Sequence, residues 1–311
     1  MAAFTEVDLT GDHPLTVHDI VRAIDETFPF DDAAPWDRVG LLVGDGNAQV
    51  SGVLVTLDAG LNAIARAQEL GANVIVTHHP IHIETPEHFN ITHTAYTYPA
   101  RVIHAAIAAG VAIIAAHTNL DKAPAARRHW GEALEMKHVG PLPPLDPAAG
   151  FPRVRTAVVP SDDANMCDPA IDEDIYGELW QVRDPRSLNT LAAEIANLTG
   201  RCVRAYGDGE TIVSSVVTAT GSASSRIPEA LFAKADVIVA GEFRYHDALA
   251  AVESGLCLLE LGHDISELPL LDLLAECVHV RTSIADDALQ LDREPNLWNC
   301  VATGSIPPGQ L

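Results

Sequence analysis

Asn73-Val74-Ile75-Val76-Thr77-His78-His79-Pro80 is the stretch whose reading decides the fold. A run of strand-forming residues meets two adjacent histidines and a proline that cannot extend a ladder, which puts the imidazoles at a strand's carboxyl end. Open α/β sheets keep their ligands at that end. Side chains next to each other on an extended chain point to opposite sides, so His78 and His79 do not easily serve one metal in the same way, but each can serve a different one. Taken alone, the pair also reads as a polar strand end with two solvated histidines.

Working outward, residues 52–58 form another apolar strand, followed by a helix over 61–70, and the β-α-β order predicts that the two strands run parallel. Upstream, Val17, Ile20, Val21 and Ile24 recur with helical spacing and predict an amphipathic helix over 16–27. Trp36 and Asp37 then read as a loop anchor with a capped turn, ahead of a short strand bracketed by Gly40 and Gly44. Downstream, residues 81–98 hold His82, His88 and His93 without a steady period, as a loop or lid does. A helix over 99–109 leads to a second buried strand that ends at His117 and Asp121.

Clustered prolines and glycines place a linker at 138–152, between lobes spanning 1–137 and 153–311. In the second lobe the acidic run 161–174 reads as a solvated loop. Segments 177–182 and 212–220 read as strands flanking a helix near 187–198. Gly207-Asp208-Gly209 reads as a turn and not as a phosphate loop, because no Gly-x-Gly-x-x-Gly helix follows. Ala235-Asp-Val-Ile-Val-Ala-Gly-Glu242 echoes the stretch leading to His78 and His79, and Gly255 to Glu267 echoes Gly110 to Asp121. The chain is thus expected to be an α/β protein of two related lobes with the site at facing strand ends.

At 311 residues two domains are the natural expectation, and 48% hydrophobic with only 5% aromatic residues predicts an aliphatic interior. Lys and Arg total 19 against 43 Asp and Glu, a formal charge of −24 that repels nucleic acid and anionic membrane. Five scattered cysteines without a Cys-x-x-Cys pair argue against a disulfide framework or zinc ribbon. No run approaches the roughly 18 apolar residues of a membrane span, and the amino terminus lacks a signal-peptide pattern, so a cytoplasmic home is expected.

His78, His79, Asp121, His263 and Glu267, with His117 beside them, are all nitrogen or oxygen donors at the ends of apolar strands. Such a set without thiolate suits zinc, manganese or iron in a catalytic site. A carboxylate such as Asp121 can bridge two ions while His78 and His79 supply one nitrogen to each. His263 and Glu267 are four apart, which on a helix puts both on one face. The expected arrangement is instead a helix capped by Ser266, with Glu267 in its first turn and Leu270, Leu271, Leu274, Cys277 and Val278 as its buried stripe.

Trp36-Asp37 through Gly40-Leu41, Val76-Thr-His-His-Pro80, Ala116-His-Thr-Asn-Leu-Asp121, Gly241-Glu242 to Tyr245-His246, and Gly262-His263 to Ser266-Glu267 together resemble the Nif-three-like dinuclear-metal hexamer family. Its members are often labelled homologues of GTP cyclohydrolase I type 2. The resemblance implies a two-lobed α/β subunit, a homohexameric ring around an internal cavity, and two divalent ions per subunit held by His78, His79, Asp121, His263 and Glu267. Arg38 stands where the family usually has Asn, and Asp264 where an aromatic residue usually follows Gly-His.

The function expected is metal-dependent hydrolysis of a nucleotide or a small phosphorylated or heterocyclic compound. His117 or Glu242 would move a proton, and Arg101, Lys122 or Arg244 would hold an anionic substrate. The alternative is a metal-binding scaffold that stores or delivers ions, or binds a partner, without turnover.

Overall fold

The computed structural model describes residues 14–86, 88–92, 97–143 and 177–293. The acidic run 161–174 and His93 lie outside the described residues. The first sheet is ordered β1-β4-β3-β2-β11, with β1 at Gly40–Val43, β2 at Val53–Asp58, β3 at Val74–His79, β4 at Ala112–Ala115 and β11 at Leu289–Leu291. β2, β3, β4 and β11 are parallel, and β1 closes one edge antiparallel to β4.

Alternation along these strands explains their composition. Val53, Val55, Val74, Val76 and Ile114 face α1 (Val17–Thr27) and α10 (Leu270–Thr282). Leu54, Ile75 and Ile113 face α2 (Leu61–Glu69) and α3 (Tyr98–Ala109). Strands covered on both faces are apolar at every position, whereas an amphipathic strand would alternate. That is why Val74-Ile-Val-Thr shows no period of two.

The second sheet runs β5-β6-β8-β9-β10-β7, with β5 at Lys137–Pro141, β6 at Glu178–Ser187, β7 at Arg204–Tyr206, β8 at Ile212–Thr218, β9 at Val237–Ala240 and β10 at Cys257–Glu260. Its parallel core β8-β9-β10, with β7 antiparallel to β10, repeats the order β2-β3-β4 with β1 antiparallel to β4. Helix α6 (Leu188–Thr199) buries Leu188, Leu191 and Ile195 on one face of this sheet. Helices α7 (Ile227–Phe232) and α8 (Tyr245–Glu253) cover the other. The echo between the halves is therefore one of topology as well as of residues.

Several expectations are corrected by position. Residues 138–141 of the expected linker belong to strand β5, hydrogen-bonded to β6, and 144–152 lie outside the described residues. The second half also does not stay in one lobe, because α10 and β11 return to the first sheet. Proline and glycine content marks where a ladder is weakened but not which edge the chain rejoins. Among the described cysteines, Cys202 is disulfide-bonded and Cys257 and Cys277 are free and buried. Among the described residues no helix is long and apolar enough to cross a membrane.

The expected stripe of α10 is fully buried: Leu270, Leu271, Leu274, Cys277 and Val278 are all at 0% exposure. Leu274→Ala should therefore destabilise the protein by roughly 2–5 kcal/mol through lost burial and the cavity left behind. A denaturant melt checks this, and a cost well under 1 kcal/mol would show that α10 is not integral to the first lobe.

Candidate metal centre

Both strand families deliver their functional residues in the same way. Chain leaving β4 turns at His117 into α4 (Thr118–Asp121), and chain leaving β10 turns at Gly262 into α9 (His263–Glu267). One helical turn then sets His117 above Asp121 and His263 above Glu267. Gly262 takes φ +103 at this corner, a conformation that favours glycine. Ser266 is consequently not an N-cap: it lies inside α9, donates from Oγ to the His263 carbonyl and accepts from the Gly221 amide. Pro269 separates α9 from α10.

These turns meet the end of β3. His78 is completely buried, with Nδ1 3.0 Å from the Ala116 carbonyl and Nε2 3.8 Å from Asp121 Oδ2 and 3.7 Å from Glu267 Oε1. His79 converges on the same carboxylate, with Nδ1 2.9 Å from Asp58 Oδ1 and Nε2 2.8 Å from Glu267 Oε2, its ring centroid 5.0 Å from that of His78. His263 places Nδ1 3.1 Å from Glu242 Oε1 and Nε2 3.2 Å from Glu267 Oε1. His117 Nδ1 lies 2.8 Å from Asp37 Oδ1, and its ring packs against those of His78 and His79. The structure thus brings together all the expected donors.

Their chemistry fits a cation. The ligand atoms of His78, His79 and His117, of His79, His263 and Glu267, and of His78, Asp121 and Glu267 each lie within 4.8 Å of one another. His78 Nε2, His79 Nε2 and Glu267 Oε2 are buried without an aligned hydrogen bond, although His79 Nε2 and Glu267 Oε2 are only 2.8 Å apart. Buried polar atoms left unpaired are costly, and atoms that converge without bonding one another are arranged as ligands are. Glu267 belongs to two of these groups and is the carboxylate they share; Asp121 belongs to the group with His78.

The electrostatics agree. Burial disfavours the imidazolium of His79, but Asp58 and Glu267 outweigh it and raise its pKa to about 10. His263 is raised to about 9 against its burial by Glu267 and Glu242, and the fully buried His78 is raised by Asp121 and Glu267. Burial would push Glu267 up, yet His78, His263 and His79 hold it well below the usual carboxylate range. The cluster therefore carries a field that favours positive charge, which a divalent ion satisfies as well as protons do.

Residues outside the donor set shape the site. Thr220 donates from Oγ1 to Asp121 Oδ1 at 2.7 Å, tying the two lobes together. Gly221, at φ +56, leaves room that a Cβ would fill 2.4 Å from Glu267 Oε1. A cleft of about 620 Å³ opens on the His79 and His263 side and is also lined by Asp58, Glu242, Glu260 and Arg204. Arg204 is the basic side chain at this cleft, tied to Glu260 and Tyr206. The expected anion holders face elsewhere: Lys122 donates to the Asp32 carbonyl, Arg244 to Asp247, and Arg101 does not line the cleft. Sequence reading missed Asp58, Thr220 and Arg204. Asp58 and Thr220 left a signal, each as the last residue of a strand already recognised.

The chain matches the family described as Duf34/NIF3 (NGG1p interacting factor 3) over residues 15–292. A GTP cyclohydrolase 1 type 2 homolog of Streptomyces coelicolor is 31% identical over 257 residues, covering 82% of each chain. Another, from Clostridium perfringens, is 26% identical over 270 residues, covering 86% of this chain and 92% of its own. The crystal structure of a Bacillus cereus protein related to NIF3 superposes with a TM-score of 0.73 at 20% identity, covering 93% of this chain and 100% of that one. That likeness carries the fold.

Asp37 anchors the loop as its type suggested. Its Oδ2 accepts from the Thr118 amide and hydroxyl, and its Oδ1 accepts from the Arg38 amide and lies against His117. Burial would raise its pKa, but His117 and Thr118 lower it from 3.8 to about 2. A depressed carboxylate stabilises the fold above its unfolded pKa and loses that contribution as pH falls through its folded one. Asp37→Asn should thus cost roughly 1.5–3 kcal/mol at pH 7. The gap between wild type and variant should narrow as pH falls from about 4 toward 2. Denaturant midpoints across that range check it, and a pH-independent gap would refute it.

Proposed function

The chain belongs to the Duf34/NIF3 family, and on that premise we propose that it is a dinuclear divalent-metal protein that hydrolyses a nucleotide or a small phosphorylated or heterocyclic compound. The observation that carries this reading is the convergence of imidazole nitrogens and carboxylates in three overlapping groups beside an open cleft. His78 and Asp121 would hold one ion and His79 and His263 the other, with Glu267 facing both. Zinc, iron and manganese all suit such donors. Bound there, divalent ions supply Lewis acidity and a nucleophile at neutral pH.

The chain's own residues supply the rest. Buried aliphatic strands hold the donors rigid, the lobes exclude water from His78, and the cleft admits a ligand of small-molecule size on the His79 side. His117 and Glu242 stand at the cluster where proton transfer would be needed, with His117 oriented by Asp37. Ring opening of GTP belongs to the names of relatives, and formate release from GTP tests it directly. Assembly into a homohexameric ring and a cytoplasmic location belong to the same proposal; the native particle mass reads out the first.

Metal content of protein purified without chelator should be about two ions per chain and should fall in both Asp121→Ala and Glu267→Ala. A survey of nucleotide, phosphomonoester and deaminase substrates on metal-loaded protein should then yield turnover that Asp121→Ala abolishes. Failure to bind zinc, manganese or iron after reloading overturns the metal reading. Metal binding without turnover across the survey leaves the storage or scaffold role in its place.

A further inference from the structure

We propose that Asp58 and Glu242 are positioning residues that lock His79 and His263 with Nε2 turned toward the metal cluster. The inference rests on the dinuclear reading above and reassigns Glu242 from proton carrier to strut.

A neutral imidazole has one protonated nitrogen and one free lone pair, and a metal takes the lone pair. An acceptor at Nδ1 keeps the proton there and leaves Nε2 free, which fixes both tautomer and ring orientation. His79 meets Asp58 Oδ1 at 2.9 Å and His263 meets Glu242 Oε1 at 3.1 Å, both through Nδ1. Their Nε2 atoms then lie 2.8 Å and 3.2 Å from opposite oxygens of Glu267. Each lobe thus contributes one histidine and one carboxylate that aims it, and the two pairs meet on a single shared side chain. All four residues line the same cleft.

Both struts are mounted on pinned backbone. Asp58 closes β2 directly opposite His79 in the parallel register. Glu242 follows β9 and is bonded on both sides to the neighbouring turn, its amide to the Gly221 carbonyl and its carbonyl to the Ala223 amide. The side chains themselves are half exposed, at 57% for Asp58 and 52% for Glu242. Exposed ion pairs contribute little to stability, so removing either carboxylate leaves the fold intact and isolates its effect on the metal. The other two histidines offer no such handle. His78 uses a backbone carbonyl, and Asp37 behind His117 also anchors the loop.

The test titrates full-length wild type, Asp58→Ala, Asp58→Asn, Glu242→Ala and Glu242→Gln with Co2+, reading affinity and the visible absorption of the bound ion. Each alanine variant should bind roughly 10–100-fold more weakly, with an altered cobalt spectrum and unchanged thermal unfolding. The amide variants should recover most of the affinity, since their side-chain oxygen still accepts from Nδ1. Alanine variants with wild-type affinity and spectrum overturn the proposal and return Glu242 to proton transfer. Amide variants as impaired as alanine also overturn it, because net charge and not orientation would then be the cause. If wild type itself binds no Co2+, the dinuclear reading fails first and this inference with it.

Discussion

The carboxylate of Glu267 is the constraint on which the rest depends. It is 3% exposed, and an isolated buried carboxylate is strongly disfavoured, so it persists only where positive charge meets both of its oxygens. His78 and His79 come from the first lobe and His263 from the second, which means that the charge is compensated only when the lobes are closed on each other. One further contact reinforces the closure, the hydroxyl of Thr220 donating to the Asp121 carboxylate, while the Trp130 indole, packed in the core of the second sheet, donates to the Ser266 carbonyl beside Glu267. The site and the interface between lobes are one structure.

The repeat within the chain explains how so compact a donor set arises. In each half a parallel three-stranded core ends in a sharp turn whose first and fifth residues are a histidine and a carboxylate, His117 with Asp121 and His263 with Glu267. The middle strands differ: β3 ends in His78 and His79, while β9 is followed by Gly241 and Glu242. A Cβ at position 241 would approach Ser266 Oγ to 2.5 Å and the Gly221 carbonyl oxygen to 2.6 Å, so the second half has no room for another histidine there. Facing the two strand ends makes the halves complementary, with imidazoles concentrated on one side and the shared carboxylate on the other.

The chain also secures this arrangement by not dividing cleanly into halves. After Glu267 it crosses back, and α10 buries its apolar stripe on the first sheet before β11 extends that sheet beside β2. Glu267 is thereby anchored in both lobes at once, through β10 on one side and α10 on the other. Non-local pairing of this kind limits relative motion of the lobes at the point where donor atoms must hold their spacing.

Much of this was legible in the residues. Apolar runs ending in His-His-Pro, in His117 to Asp121 and in His263 to Glu267 determined the parallel strands, the donor set and the likeness between halves, because strand burial and ligand chemistry are properties of local sequence. Local sequence placed Ser266 wrongly as a cap, since only the φ of Gly262 decides that the helix starts three residues earlier. It gave no sign that Glu267 belongs to two of the three donor groups and Asp121 to one. The Nδ1 partners Asp58 and Glu242, the Thr220 contact, Arg204 at the cleft and the return of α10 to the first sheet were decided by tertiary structure alone. The physical reason is common to all of them: each is a contact across sheets or between strands far apart in the chain, and register and lobe closure have no counterpart in the spacing of residues.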